Sequence, residues 1–143
     1  MDYRVLAAEE LKGMKNQYMS EKAIRMRIME LETLLKSCGG GTGGGSPTGN
    51  GGNKTEQRWV GLISSIDREK ERLENLSRDI RRIEYALEAA EADEARILKL
   101  SYIEHRNMEE IAQKEHISRA TAFRKRNKAL VSFTRALYGV VKK

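Results

Sequence analysis

Apolar residues recur along this chain mostly at helical spacing. From Lys54 to Ala90 the period is seven. Trp59, Ile66, Leu73, Ile80 and Leu87 fill one heptad position, and Leu62, Glu69, Leu76, Ile83 and Ala90 its companion. Glu69 alone interrupts the seam, so the segment predicts a coiled-coil helix. Asp2 to Ser37 contains no Pro and a single Gly, Gly13. Leu11, Met14 and Tyr18 form one stripe there. After a phase shift, Ile24, Ile28, Leu31 and Leu35 form another. This predicts one helix of about 36 residues, about 54 Å long. Val5, Leu6, Met19, Met26, Met29 and Leu34 widen its apolar surface beyond a two-stranded seam.

Residues 38–53, CGGGTGGGSPTGNGGN, separate the two patterns. A run this rich in Gly predicts a flexible linker. Gly39, Gly41 and Gly44 fit a G-x-G-x-x-G spacing, and Gly49 to Thr55 resembles a phosphate-binding loop. Neither has a strand to hold it, and Asn53 stands where the loop needs Gly. Two helices of matched length joined by a flexible linker predict an antiparallel hairpin over residues 1–91. Two parallel strands from two chains are the alternative.

The C-terminal segment, residues 92–143, reads as short helices. Asp93 is a candidate cap for the first, and Ile97, Leu98, Leu100, Tyr102 and Ile103 give its apolar side. Asn107 caps the next, with Glu110 three residues on as in a capping box, and Ile111 and Ala112 turn inward. His116 and Ile117 make a turn. Ser118 then opens a helix by accepting from the Thr121 N–H. In that helix Ala122, Ala129, Leu130, Phe133 and Leu137 recur at helical spacing, and Gly139 is a plausible end. From Ser118 onward there are eight Lys or Arg and no Asp or Glu.

The string EEIAQKEHISRATAFRKRNKAL resembles the promoter-reading domain (region 4) of sigma-70 family factors. It resembles still more the small phage and mobile-element regulators that carry such a domain at the C-terminus. Glu110, Ile111, Ala112, Ile117, Ser118, Thr121, Ala129 and Leu130 fit the pattern, over about a third of the chain from Asp93 to Tyr138. Two departures stand out: His116 holds a turn position usually occupied by Gly, and the rest of a sigma factor is absent. The resemblance implies a helix-turn-helix domain with its recognition helix at about 119–131. Arg119, Ala120, Thr121 and Arg124 would then lie at base edges, with Lys125, Arg126 and Lys128 mainly on phosphates and Phe123 also within the DNA-binding set.

Charge sharpens this picture. The net charge is +6, and the segments 1–53, 54–90, 91–117 and 118–143 carry +1, 0, −3 and +8. Basicity confined to one segment is the footprint of a polyanion site. Cys38 is the sole cysteine, and His105 and His116 the sole histidines. No disulfide, metal motif, cofactor site or catalytic set is expected, so an enzyme is not. No run approaches a membrane span and no apolar leader opens the chain, which predicts a cytoplasmic protein.

The expected fold is all-α, a helical hairpin (1–91) followed by a helix-turn-helix domain (92–143). The expected function is sequence-specific binding of double-stranded DNA by a phage-type or mobile-element transcription regulator, homodimeric through the hairpin. Glu104, Glu109, Glu110 and Glu115 form an acidic cluster, either a solvated face or a contact for RNA polymerase. The alternatives are a small-terminase-like DNA-packaging subunit and a coiled-coil interaction module that binds no DNA.

Overall fold

The computed structural model describes residues 1–39 and 49–143, with side chains at 1–38 and 54–143. The fold is all-α. Among the described residues the elements are α1 (Tyr3–Lys12), α2 (Met14–Gly39), α3 (Gly49–Leu87), α4 (Ala92–Leu98), a π-helical turn (Lys99–Ile103), α5 (Met108–Glu115) and α6 (Arg119–Tyr138). Most of the expected linker, residues 40–48, lies outside the described residues. The stretch from Gly49 to Thr55 belongs to α3 and is not a loop.

The expected single helix over 2–37 is two. It breaks at Gly13, whose φ of −85° and ψ of −6° leave regular helical geometry. The described residues form two compact units. One compact unit comprises Met1–Tyr18 with Arg78–Lys143, and the other Met19–Ser77.

In the Met19–Ser77 unit, α2 and α3 pair antiparallel. The Ser77 hydroxyl donates to Glu21 at 2.7 Å, and Lys70 lies 3.9 Å from Glu32. Ile24, Ile28 and Leu31 are buried from α2, and Ile66 from α3. The heptad holds from Ile66 onward but frays at Trp59, which is 44% exposed. Glu69, in the seam, accepts from the Arg72 guanidinium on its two carboxylate oxygens, each at 2.9 Å. Met19, Met26 and Met29 remain outside on α2.

In the other unit, α1 packs on α6. Ala7 and Leu11 of α1, with Met14 at the start of α2, are buried on one side, and Ala129, Leu130 and Phe133 of α6 on the other. The two ends of the chain pair as well. Tyr3 N–H donates to the Val141 carbonyl and Lys143 N–H to the Met1 carbonyl, each at 3.0 Å. The Tyr3 and Tyr138 rings lie 5.3 Å apart. Asp2 caps α1 by accepting from Arg4 N–H. Hydrogen bonds from the Arg4 side chain and backbone hold its pKa down at about 2. The last turns of α3 add Ile80, Ile83, Ala86 and Leu87 to the core.

The segment after Leu98 is no simple continuation of α4. Glu104 N–H reaches back to the Lys99 carbonyl, a π-type bond, and Arg106 N–H to that of Leu100. His105 between them sits at φ 56°. Asp93 does not cap α4. Glu91 is the boundary residue, and Asp93 lies in the first turn.

Candidate nucleic-acid interface

The basic helix is placed by two local devices. Asn107 caps α5, accepting from Glu110 N–H at 2.8 Å, while its amide donates to the Glu110 carboxylate at 3.1 Å. α5 ends in a left-handed residue, His116, at φ 58° and ψ 42°. His116 N–H donates to the Gln113 carbonyl and Ile117 N–H to that of Ala112, which is the Schellman arrangement. The bond turns Ile117 onto a core of Ile97, Leu100, Met108, Ile111, Ala112 and Ala122. Ser118 follows at once as the cap of α6, its hydroxyl oxygen accepting from Thr121 N–H at 3.1 Å. The turn thus needs only two residues between α5 and the α6 cap.

On α6 the expected site residues part into groups. Arg119, Ala120 and Arg124 are exposed. Ala120, Arg124, Asn127 and Lys128 are all exposed at spacings of four, seven and eight, so they share one outward stripe. Thr121 is half-buried, and its side-chain oxygen accepts a hydrogen bond from Ser118. Phe123 is half-buried against the core.

Three of the four cations that complete the basic run have partners inside the protein. Lys125 donates to Asp93 at 2.6 Å. That bond is the main reason the Asp93 carboxyl is held below the usual carboxylate range. Lys128 lies 3.5 Å from Glu94, yet 68% of its side chain stays exposed. Arg126 is half-buried between two rings, 5.2 Å from the centroid of Tyr102 and 5.0 Å from that of Phe123. Its Nη1 is 3.5 Å from the Ser101 hydroxyl, and its buried Nε has no partner among the described residues. Arg124, the fourth, has neither hydrogen bond nor ion pair among the described residues.

The geometry brings to this surface three residues that the sequence alone does not place there, Asn127, Lys12 and Tyr102. Asn127 extends the exposed stripe. Lys12 of α1 lies 5.9 Å from the Tyr102 centroid, and Arg119 lies 5.6 Å from that of Phe123. Lys12, Tyr102, Arg126, Phe123 and Arg119 therefore alternate cation and ring across α1, the π-turn and α6. Periodicity could have found Asn127, but nothing in the sequence links Lys12 to Tyr102.

The acidic cluster is partly occupied. Glu115 pairs with Arg96, and Glu110 serves the α5 cap. Glu104 and Glu109 remain exposed. Among the described residues no group of His, Cys, Asp and Glu could hold a metal ion. Among them, too, no helix is long and apolar enough to cross a membrane.

A family model described as "Protein of unknown function (DUF722)" matches residues 9–134. No curated protein and no solved structure matches the chain.

Proposed function

The chain belongs to the DUF722 family, and from that starting point we propose that it binds duplex DNA sequence-specifically, as a transcription regulator of the phage or mobile-element type. The α5–turn–α6 arrangement acts as a helix-turn-helix in this reading, with the first half of α6 in the major groove. One observation carries it. Ala120, Arg124, Asn127 and Lys128 form a single exposed stripe on a helix whose opposite side, at Ala122, Ala129 and Phe133, is locked into the core. A rigid helix presenting guanidinium and amide groups suits base edges, since Arg pairs with guanine and Asn with adenine in bidentate fashion. From Ser118 onward the chain has no Asp or Glu, and the carboxylates that reach α6 from α4, Asp93 and Glu94, lie at Lys125 and Lys128 rather than at Arg124.

Within this reading Arg124, Asn127 and Ala120 read sequence. Lys128 and Arg126 hold backbone, and Lys125 is mainly a strut to α4. Glu104 and Glu109 are the parts of the acidic cluster left open to RNA polymerase. Selection from random-sequence duplexes should enrich one motif. On that motif Arg124→Ala should cost about 1–3 kcal/mol of discrimination. Enrichment of no motif, with equal affinity for all duplexes, would remove sequence-specific reading.

A further inference from the structure

The alternating cations and rings reach beyond the basic helix, onto α1. Lys12 and Arg126 approach the same Tyr102 ring at 5.9 and 5.2 Å. Each cation is attracted to the ring, which gives neither of them a negative charge. Lys12 has Glu9 at 3.2 Å, but both side chains are exposed, at 47% and 65%, so the pair is weak. Arg126 has no carboxylate partner among the described residues, and its buried Nε is unbonded. Beside them runs an open groove of about 390 Å³, lined by Arg4, Lys12, Tyr102 and Asn127, with Glu9 its one acidic residue. Asn127 belongs to the exposed stripe of α6. The groove therefore continues from that stripe toward α1.

We propose that Lys12 and Arg126, joined by Tyr102, form a seat for a backbone phosphate of the duplex, so that the DNA-binding surface includes α1. The proposal rests on the DNA reading above and extends it to a helix outside the C-terminal segment. A phosphate there would meet the exposed Lys12 ammonium and give the Arg126 guanidinium the anion it lacks. Such a contact holds the duplex without reading it.

The experiment is a salt titration of affinity for a 30-base-pair mixed-sequence duplex, which suffices because a phosphate contact is independent of sequence. Lys12→Ala should lower the slope of log affinity against log salt by about 0.9. At 0.15 M salt it should weaken binding about fivefold. Lys12→Arg should restore both. Lys22→Ala, which removes the same charge from the exposed side of α2, should leave the slope unchanged. Thermal melting tests that the Lys12 variants fold as the wild type does. If Lys12→Ala keeps the wild-type slope, or Lys22→Ala lowers it equally, the seat is overturned while the α6 reading stands. If the wild-type chain binds no duplex even at low salt, both fall together.

Discussion

Removing an acidic residue from α4 should strengthen DNA binding. Lys125 is part of the basic run, yet its ammonium lies 2.6 Å from Asp93, with the two side chains 29% and 42% exposed. In this arrangement the cation is already neutralised and makes little contact with phosphate. Asp93→Asn would release it. One newly available cation steepens the salt slope by about 0.9, so the advantage over wild type should change about 3.5-fold between 50 and 200 mM salt. Lys125→Ala should leave the slope almost unaltered, since the wild-type charge is tied down. Both variants lose only a partly exposed ion pair and should melt close to wild type. Acid gives an independent check. Lys125 holds the Asp93 pKa below its ordinary 3.8. A lowered folded pKa stabilises the fold at pH values above the unfolded one, and that contribution fades as pH falls below it toward the folded pKa. Asp93→Asn should therefore flatten the acid side of the stability curve. The reasoning fails if Lys125→Ala lowers the salt slope by a full unit while Asp93→Asn leaves it unchanged.

Three further outcomes follow from the packing. Ser118→Ala removes the side-chain acceptor for Thr121 N–H and should destabilise by about 1 kcal/mol in denaturant titration; an unchanged midpoint would mean that solvent replaces the cap. His116→Gly should stabilise by about 0.5–1 kcal/mol, because a left-handed L-residue costs about 1–2 kcal/mol and glycine's extra unfolded-state freedom returns part of that; a loss of stability would show that the imidazole contributes more than its backbone strain. Leu31→Ala, at a site only 4% exposed, should cost about 2–5 kcal/mol, whereas Met29→Ala, at 67% exposure, should stay within about 0.5 kcal/mol; equal losses at both would show that the outer face of α2 is covered in solution.

The parts legible in sequence are those with a local cause. The seven-residue period foretold α3, and the side-chain oxygens of Ser118 and Asn107 marked helix starts that the structure keeps. The left-handed turn at His116 and the helix end at Gly139 were readable for the same reason. What stayed hidden is non-local or without compositional signal. A lone Gly is tolerated within helices, so Gly13 gave little warning of a break. The π-turn over Lys99–Ile103 shifts the bonding by one residue without any special residue type. The basic run on α6 reads as one uniform patch until Asp93, Glu94 and Tyr102, more than 20 residues upstream, divide it into paired, stacked and open cations. The docking of α1 on α6 joins the two ends of the chain, and no periodicity within either helix announces its distant partner.

That docking makes the order of folding matter. α1 is synthesised well before its partner α6, and the contact between Tyr3 and Val141 has the large sequence separation that slows folding. The α2–α3 pair lies between them and closes on itself, with Glu21 bonded to Ser77. Once it has formed, the 59 residues of Met19–Ser77 no longer add to the loop that α1 must close. An unstructured loop of that length would cost about 3–4 kcal/mol in closure entropy. A ligand or substitution that separates α2 from α3 would return this entropy to the chain and loosen α1 from α6. The long helices would then act as a thermodynamic lever on Lys12 without touching it, tuning the proposed grip on DNA through the stability of a segment whose net charge is only +1.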